Sequence, residues 1–153
     1  MKTKFKETEI GLIPEDWEVK ELKSVIDIKH GFAFKGEFFT DEPNEHIVLT
    51  PGNFNIGGGF KAQKFKYYLS DYPEEYALKE GDIVVSMTDL SKEGDTLGYS
   101  AKIPPSKEKT YLHNQRLGLL QFKSKKYIPI SSIGYLEQKS ISNLLLVQQQ
   151  VLL

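Results

Sequence analysis

The chain has 153 residues, 39% hydrophobic and 27% charged, with a formal net charge of -1; this length predicts one domain with its own core, and the near-neutral balance excludes a protein that grips nucleic acid by bulk positive charge. With no cysteine, disulfides and thiolate metal sites are excluded, and the three histidines, His30, His46 and His113, stand too far apart in sequence to suggest zinc. Residues 1–6 lack the apolar core of a signal peptide and no apolar run reaches the roughly 18 residues of a membrane span, so a cytoplasmic protein that is not in the membrane is expected.

Near the start, Pro14 and Trp17 are expected to fix a turn and lay an indole on the core. Leu22, Val25 and Ile26 stand at helical spacing and predict a short helix over 21–27. Phe32, Phe34, Phe38 and Phe39 then bring rings together; core is their first reading, and a stacking platform for splayed bases is the alternative. Ile47 to Thr50 reads as a strand turned by Pro51-Gly52-Asn53. The following Asn53 to Phe60 is a loop whose glycines, Gly57 to Gly59, permit positive φ and close approach to another surface. It is not a phosphate-cradling P-loop, because no Gly-Lys-Ser/Thr follows. From Lys61 to Leu69 lysines and rings interleave, so a strand here would turn cations outward and rings inward; a solvent-facing hairpin is the plain alternative.

Ser70 or Asp71 can cap a helix predicted from Tyr72 to Lys79, with Pro73 in its first turn, Glu74 and Glu75 near its positive end, and Gly81 closing it. Ile83 to Val85 predicts a buried strand. A polar loop over 86–94 follows, and then a second strand from Tyr99 to Ile103 that stops at Pro104-Pro105. Residues 111–122 predict one central strand, with Leu117 and Leu119 on one face and Gly118, Leu120 and Phe122 on the other. Asn114 and Gln115 at its entry are expected to satisfy backbone groups where strands splay, rather than to read bases, and Arg116 is open to either role. After Lys126 the only charged residues are Glu137 and Lys139; a helix from Tyr135 and an apolar end over Leu144 to Leu153 are expected.

Lysines cluster at Lys2, Lys4 and Lys6, at Lys61, Lys64 and Lys66, at Lys102, Lys107 and Lys109, and at Lys123, Lys125 and Lys126, while acids gather over 7–21 and 37–45. Separate basic and acidic faces are therefore expected, with ordinary solvated charge as the bland alternative.

Three separated motifs carry a family resemblance: Ile13-Pro14-Glu15-Asp16-Trp17-Glu18-Val19-Lys20-Glu21-Leu22, then His30-Gly31-Phe32-Ala33-Phe34-Lys35, then Gly81 to Pro105 followed by Tyr111-Leu112-His113-Asn114-Gln115-Arg116-Leu117-Gly118. In this order, over roughly residues 8–126, they resemble the target recognition domain of type I restriction-modification specificity subunits. The resemblance implies an α+β fold, a strongly twisted mixed β-sheet with short flanking helices, over residues 1–126. Residues 127–153 form an atypical apolar tail that departs from the family pattern; packing on the domain, self-association, truncation and a frameshift are the readings it leaves open. In the family, two such domains spaced by long helices each read one half of a bipartite DNA target. Methyltransferase (M) subunits modify adenine with S-adenosylmethionine and a restriction (R) subunit cleaves with ATP and Mg, so the resemblance assigns cofactors to the partners and none to this chain.

No catalytic constellation emerges from the residues. There is no Gly-rich loop for S-adenosylmethionine and no Asn/Asp-Pro-Pro-aromatic motif. Glu18-Val19-Lys20 and Glu21-Leu22-Lys23 lack the upstream Pro-Asp of a metal-dependent nuclease, and no serine sits in a nucleophile elbow. DNA readout is the expected role, with Lys61, Lys64, Lys66 and Lys123 on phosphates, Asn55, Thr88, Asp89, Ser91 and Lys92 toward base edges, and Arg116 as a further candidate for DNA contact. These residue types match the chemistry of the groove, since Asp can accept from cytosine N4, Ser and Thr adapt to donors or acceptors, and Lys reaches guanine or phosphate. The alternative is a non-catalytic assembly module that self-associates through its apolar tail.

Overall fold

Two β-sheets packed face to face, with an apolar layer between them and another on each outer side, organise the molecule. The structure, a computed structural model, describes residues 4–9, 11–88, 97–124 and 145–149. The strands are β1 (Phe5–Thr8), β2 (Gly11–Pro14), β3 (Trp17–Glu21), β4 (Ile26–His30), β5 (Phe39–Thr40), β6 (His46–Leu49), β7 (Lys66–Tyr68), β8 (Ala77–Leu78), β9 (Ile83–Ser86), β10 (Ser100–Lys102), β11 (Thr110–His113), β12 (Leu117–Phe122) and β13 (Leu145–Gln149). An antiparallel sheet runs β10-β9-β12-β4, and a mixed sheet runs β5-β7-β6-β11-β8 with β6 and β11 parallel. Two further pairs, β1-β2 and β3-β13, are antiparallel ribbons.

Strand alternation accounts for the layers. Val84, Ala101 and Leu117 of one sheet meet Ile47, Leu49, Leu78 and Tyr111 of the other in the central layer. Ile83, Val85 and Leu120 turn the opposite way, toward Val25 and Ile26. On the far side of the mixed sheet, Val48, Leu112 and Tyr68 pack with Phe34. Strands β6 and β9 are thus buried on both faces, which is why each reads as a continuous apolar run rather than an alternating one.

The four phenylalanines of 32–39 belong to that outer layer. Phe34, Phe38 and Phe39 set their rings edge-on to Tyr68 at centroid distances of 4.9, 6.0 and 5.6 Å. Their role is core, not a base-stacking platform. In β7, Tyr67 joins the central layer and Tyr68 the outer one, so rings face both ways there instead of inward only.

The helices expected over 21–27 and 72–79 are not formed: among the described residues there is no α-helix. Residues 21–27 contain only a 3-10 turn, Leu22–Ser24, before Ile26 enters β4 against Phe122 of β12. Residues 72–79 give a 3-10 turn, Glu74–Tyr76, and then β8, whose Leu78 lies opposite Tyr111. So short a helix has an unfavourable nucleus, and the open edges of β12 and β11 offer ladder bonds in its place. The single strand expected over 111–122 is two strands. The turn at 114–116 carries the chain from one sheet to the other, with Asn114 Oδ1 accepting from Arg116 N at 2.9 Å and Asn114 O accepting from Leu117 N at 2.9 Å. Asn114 therefore has the structural role expected of it. The helix expected from Tyr135 lies outside the described residues, and residues 145–149 of the apolar end form a strand along β3. No helix of the described residues is long and apolar enough to cross a membrane.

Candidate nucleic-acid interface

Several strand ends converge at one end of the two-sheet stack. Strands β6 and β11 run parallel and finish side by side. The turn after β11 starts β12, whose first residue, Leu117, lies opposite Ser86, the last residue of β9. Chain leaving β9 stays beside that turn, since Met87 N donates to Arg116 O at 2.9 Å. Strand β4 exits here too: Phe32 N donates to His113 O at 2.8 Å, and Gln115 N to Phe32 O at 3.0 Å. This crossing is so close that a Cβ on Gly31 would stand 2.1 Å from Asn114 O, which only glycine avoids.

The segment 50–65 is tied down by one side chain. Asn53 is 1% exposed; its Oδ1 accepts from Thr50 N at 3.0 Å and its Nδ2 donates to Gln63 O at 3.0 Å. Lys61 N donates to Asn53 O at 2.8 Å. Between these anchors the glycine loop closes on itself, Asn55 N to Gly59 O at 2.9 Å and Gly58 N to Asn55 O at 3.0 Å, and docks on β10 through Gly59 N to Ser100 O at 2.8 Å. Gly57, Gly58 and Gly59 have φ of 89, 104 and 93°, a run that L side chains would strain. Phe60 and Phe65 then fold back on Tyr111, with centroids 5.3 and 6.3 Å away.

Of the residues expected to touch DNA, Asn55, Thr88 and Arg116 are exposed and share this end of the molecule, linked through the backbones of β10, β9 and β12. Asn55 Nδ2 makes a long bond to Phe60 O at 3.4 Å, which leaves its carbonyl oxygen as an acceptor. Lys61 follows the glycine loop, and Lys64 is exposed with a left-handed φ of 52°. A non-glycine residue there costs about 1–2 kcal/mol. Lys66 Nζ is paired with Asp41 across the edge of the sheet. Lys123 lies at the opposite end of β12, roughly 20 Å away at strand rise, where its Nζ meets Asp27 at 3.3 Å and Lys23 O at 3.0 Å. At Lys66 and Lys123, then, acid and base interleave instead of occupying separate faces, and a phosphate would have to displace an existing partner. Asp89, Ser91 and Lys92 lie outside the described residues.

Beneath the turn, His113 is 0% exposed, and its Nε2 donates to Leu117 O at 2.8 Å. Among the described residues its Nδ1 has no hydrogen-bond partner. Burial holds the imidazole below its ordinary pKa, with Lys29 and His30 adding to the effect and the Leu117 carbonyl and Asp82 opposing it. The ring is thus a neutral strut between the two sheets. Sequence reasoning passed over Asn53, His113 and Ile56. A Pro-Gly-Asn turn signals the first, nothing in the spacing signals the second, and the third shows as one aliphatic residue inside a polar glycine loop, where it is 75% exposed. No group of acidic, histidine or cysteine side chains among the described residues could hold a metal. What the end of the molecule presents is a fixed set of donors and acceptors on rigid loops.

Comparison with known proteins gives this geometry a family context. The family model for the type I restriction modification DNA specificity domain matches residues 14–151. The MjaVIII type I restriction enzyme specificity subunit of Methanocaldococcus jannaschii is 36% identical over 129 residues, 80% of this chain and 28% of that protein. Among solved structures, the HsdS subunit from Thermoanaerobacter tengcongensis is similar with a TM-score of 0.55 at 13% identity, over 88% of this chain and 34% of that one. A chain from a structural study of complex assembly and conformational transition of the type I R-M system matches with a TM-score of 0.54 at 14% identity, over 81% of this chain and 28% of its own length. The chain thus spans about a third or less of the proteins it matches, and at these identities the solved structures speak to the fold alone.

Proposed function

Because the chain belongs to the type I restriction modification DNA specificity domain family, we propose that it reads one half of a bipartite duplex target and directs partner methyltransferase and restriction subunits to it. The family is the DNA-recognition component of its complex, not the catalytic one. On this reading S-adenosylmethionine, ATP and Mg are used by the partners, in the cytoplasm. The observation that supports it is the convergence of the glycine loop, the exit of β9 and the 114–116 turn at one end, where Asn55 and Arg116 stand exposed on backbone held by hydrogen bonds and Thr88 stands exposed next to Met87, whose N donates to Arg116 O. Rigid mounting suits base readout, because side chains already ordered lose little freedom on binding. Lys61 and Lys64 beside the loop would hold phosphates, and Asp89, Ser91 and Lys92 are assigned to base edges by residue type.

Selection from randomised duplexes, with the chain alone and with its methyltransferase subunit, tests the proposal. Enrichment of a short motif supports a half-site reader, and no enrichment in either condition sinks it. Within that assay, Lys64→Ala is expected to weaken all duplexes alike and lower the salt slope by about 1, whereas Arg116→Ala relaxes one position at a cost of about 1–3 kcal/mol.

A further inference from the structure

Ile56 has no structural role that explains its position. It is the most exposed large hydrophobic residue described, and it caps a loop that four hydrogen bonds hold in place. The same loop sends Phe54 and Phe60 into or against the central layer and pairs them across its base, so the chain buries apolar side chains on both flanks and leaves one out. Gly57 to Gly59 put no side chain beside it. An aliphatic group stands alone on bare, ordered backbone, at the end where Asn55, Thr88 and Arg116 are also exposed.

We propose that Ile56 is a specificity-determining residue that reads the C5-methyl group of a thymine in the major groove, an inference that rests on the DNA-reading function above. Base edges in the major groove present donors, acceptors and one apolar feature, the thymine methyl, while the minor groove presents no methyl at all. An aliphatic tip can discriminate only through that feature. Insertion as a wedge between base pairs is the other way an apolar side chain meets duplex DNA, and it works together with cationic contacts on the bent backbone. Lys61 and Lys64 beside the loop would serve such a wedge as well, and the deoxyuridine comparison below separates the two, because a wedge does not depend on the thymine methyl. The loop is also already rigid, so contact removes apolar surface from water without a further ordering cost.

The test uses the full chain and Ile56→Ala, each selected against a randomised duplex pool made with thymine and then bound to the enriched sequence remade with deoxyuridine, which lacks only the methyl. Ile56 is exposed, so the alanine variant retains the fold. The expected result is an enriched motif with a thymine position at which deoxyuridine weakens the parent chain about fourfold, the equivalent of one buried methyl. Ile56→Ala should bind both duplexes equally, at the level of the parent chain on deoxyuridine, with random-duplex affinity unchanged. Insensitivity of the parent chain to deoxyuridine, full thymine preference in the variant, or equal loss on random duplex each overturns the assignment to Ile56 while the half-site reading stands. Absence of any enriched motif overturns both.

Discussion

At the scale of single residues, His113 ties stability to pH. Its imidazole is buried and held below its ordinary pKa of 6.5, while in the unfolded chain it titrates at that value. The unfolded state therefore takes up the proton first as pH falls. Stability from this group is complete above about 6.5 and declines through the window between that value and the lower folded pKa. Urea midpoints measured from pH 8 down to 5 should drop across this window, and His113→Gln should flatten that part of the profile while lowering stability throughout. An unchanged slope in the variant would assign the pH dependence elsewhere. Legibility in the sequence also divides by residue: Asn114 is assignable as structural because backbone groups where strands splay need a polar side chain nearby. For Asn53 the sequence shows the turn but not the bond to Gln63 O, and for His113 it shows nothing, because Gln63 O and Leu117 O become neighbours of these side chains only when the chain is folded.

At the scale of elements, the segment from Thr50 to Phe65 is a loop in composition and a rigid unit in structure. One buried amide, that of Asn53, ties its two ends together. Asn53→Ala would leave Thr50 N and Gln63 O without partners and is expected to cost roughly 2–4 kcal/mol in denaturant unfolding. Asn55→Ala removes only the long, exposed bond to Phe60 O, so its stability should stay within about 0.5 kcal/mol while base selectivity falls. Comparable destabilisation by both changes would show that the loop is held by something other than Asn53. Some strands are legible here, since β6 and β9 follow apolar runs bounded by Gly, Pro and Asn, and β10 stops just before Pro104-Pro105. The helix expected over 21–27 does not form because helical spacing of Leu22, Val25 and Ile26 is also compatible with a turn entering a strand on the edge of β12, and the one expected over 72–79 gives way to β8 on the edge of β11. The division of 111–122 is hidden for a related reason: both halves are apolar, and the change of sheet is made by a three-residue turn.

At the scale of the whole molecule, the apolar end of the chain is joined to its beginning. Strand β13 pairs with β3 over five residues, from Leu145 opposite Glu21 to Gln149 opposite Trp17. Removing residues 145–153 leaves β3 without a strand partner among the described residues, and an unpaired strand edge recruits other chains. Sedimentation should then show more association after truncation, not less. A shift from dimer to monomer on truncation would instead support the tail as a self-association element.

The same pairing has a consequence for how the protein could be rewired. Glu15 N donates to Lys4 O at 2.9 Å, and Trp17, two residues further, faces Gln149. Both extremities of the described chain thus meet at one short stretch, and the backbone is nearly a closed ring. A ring can be opened anywhere that its contacts are few. Circular permutation that bridges 149 to 4 and cuts within the exposed 105–109 segment would keep every ladder bond and the glycine loop, while moving the attachment point for any fused module to a different side of the fold.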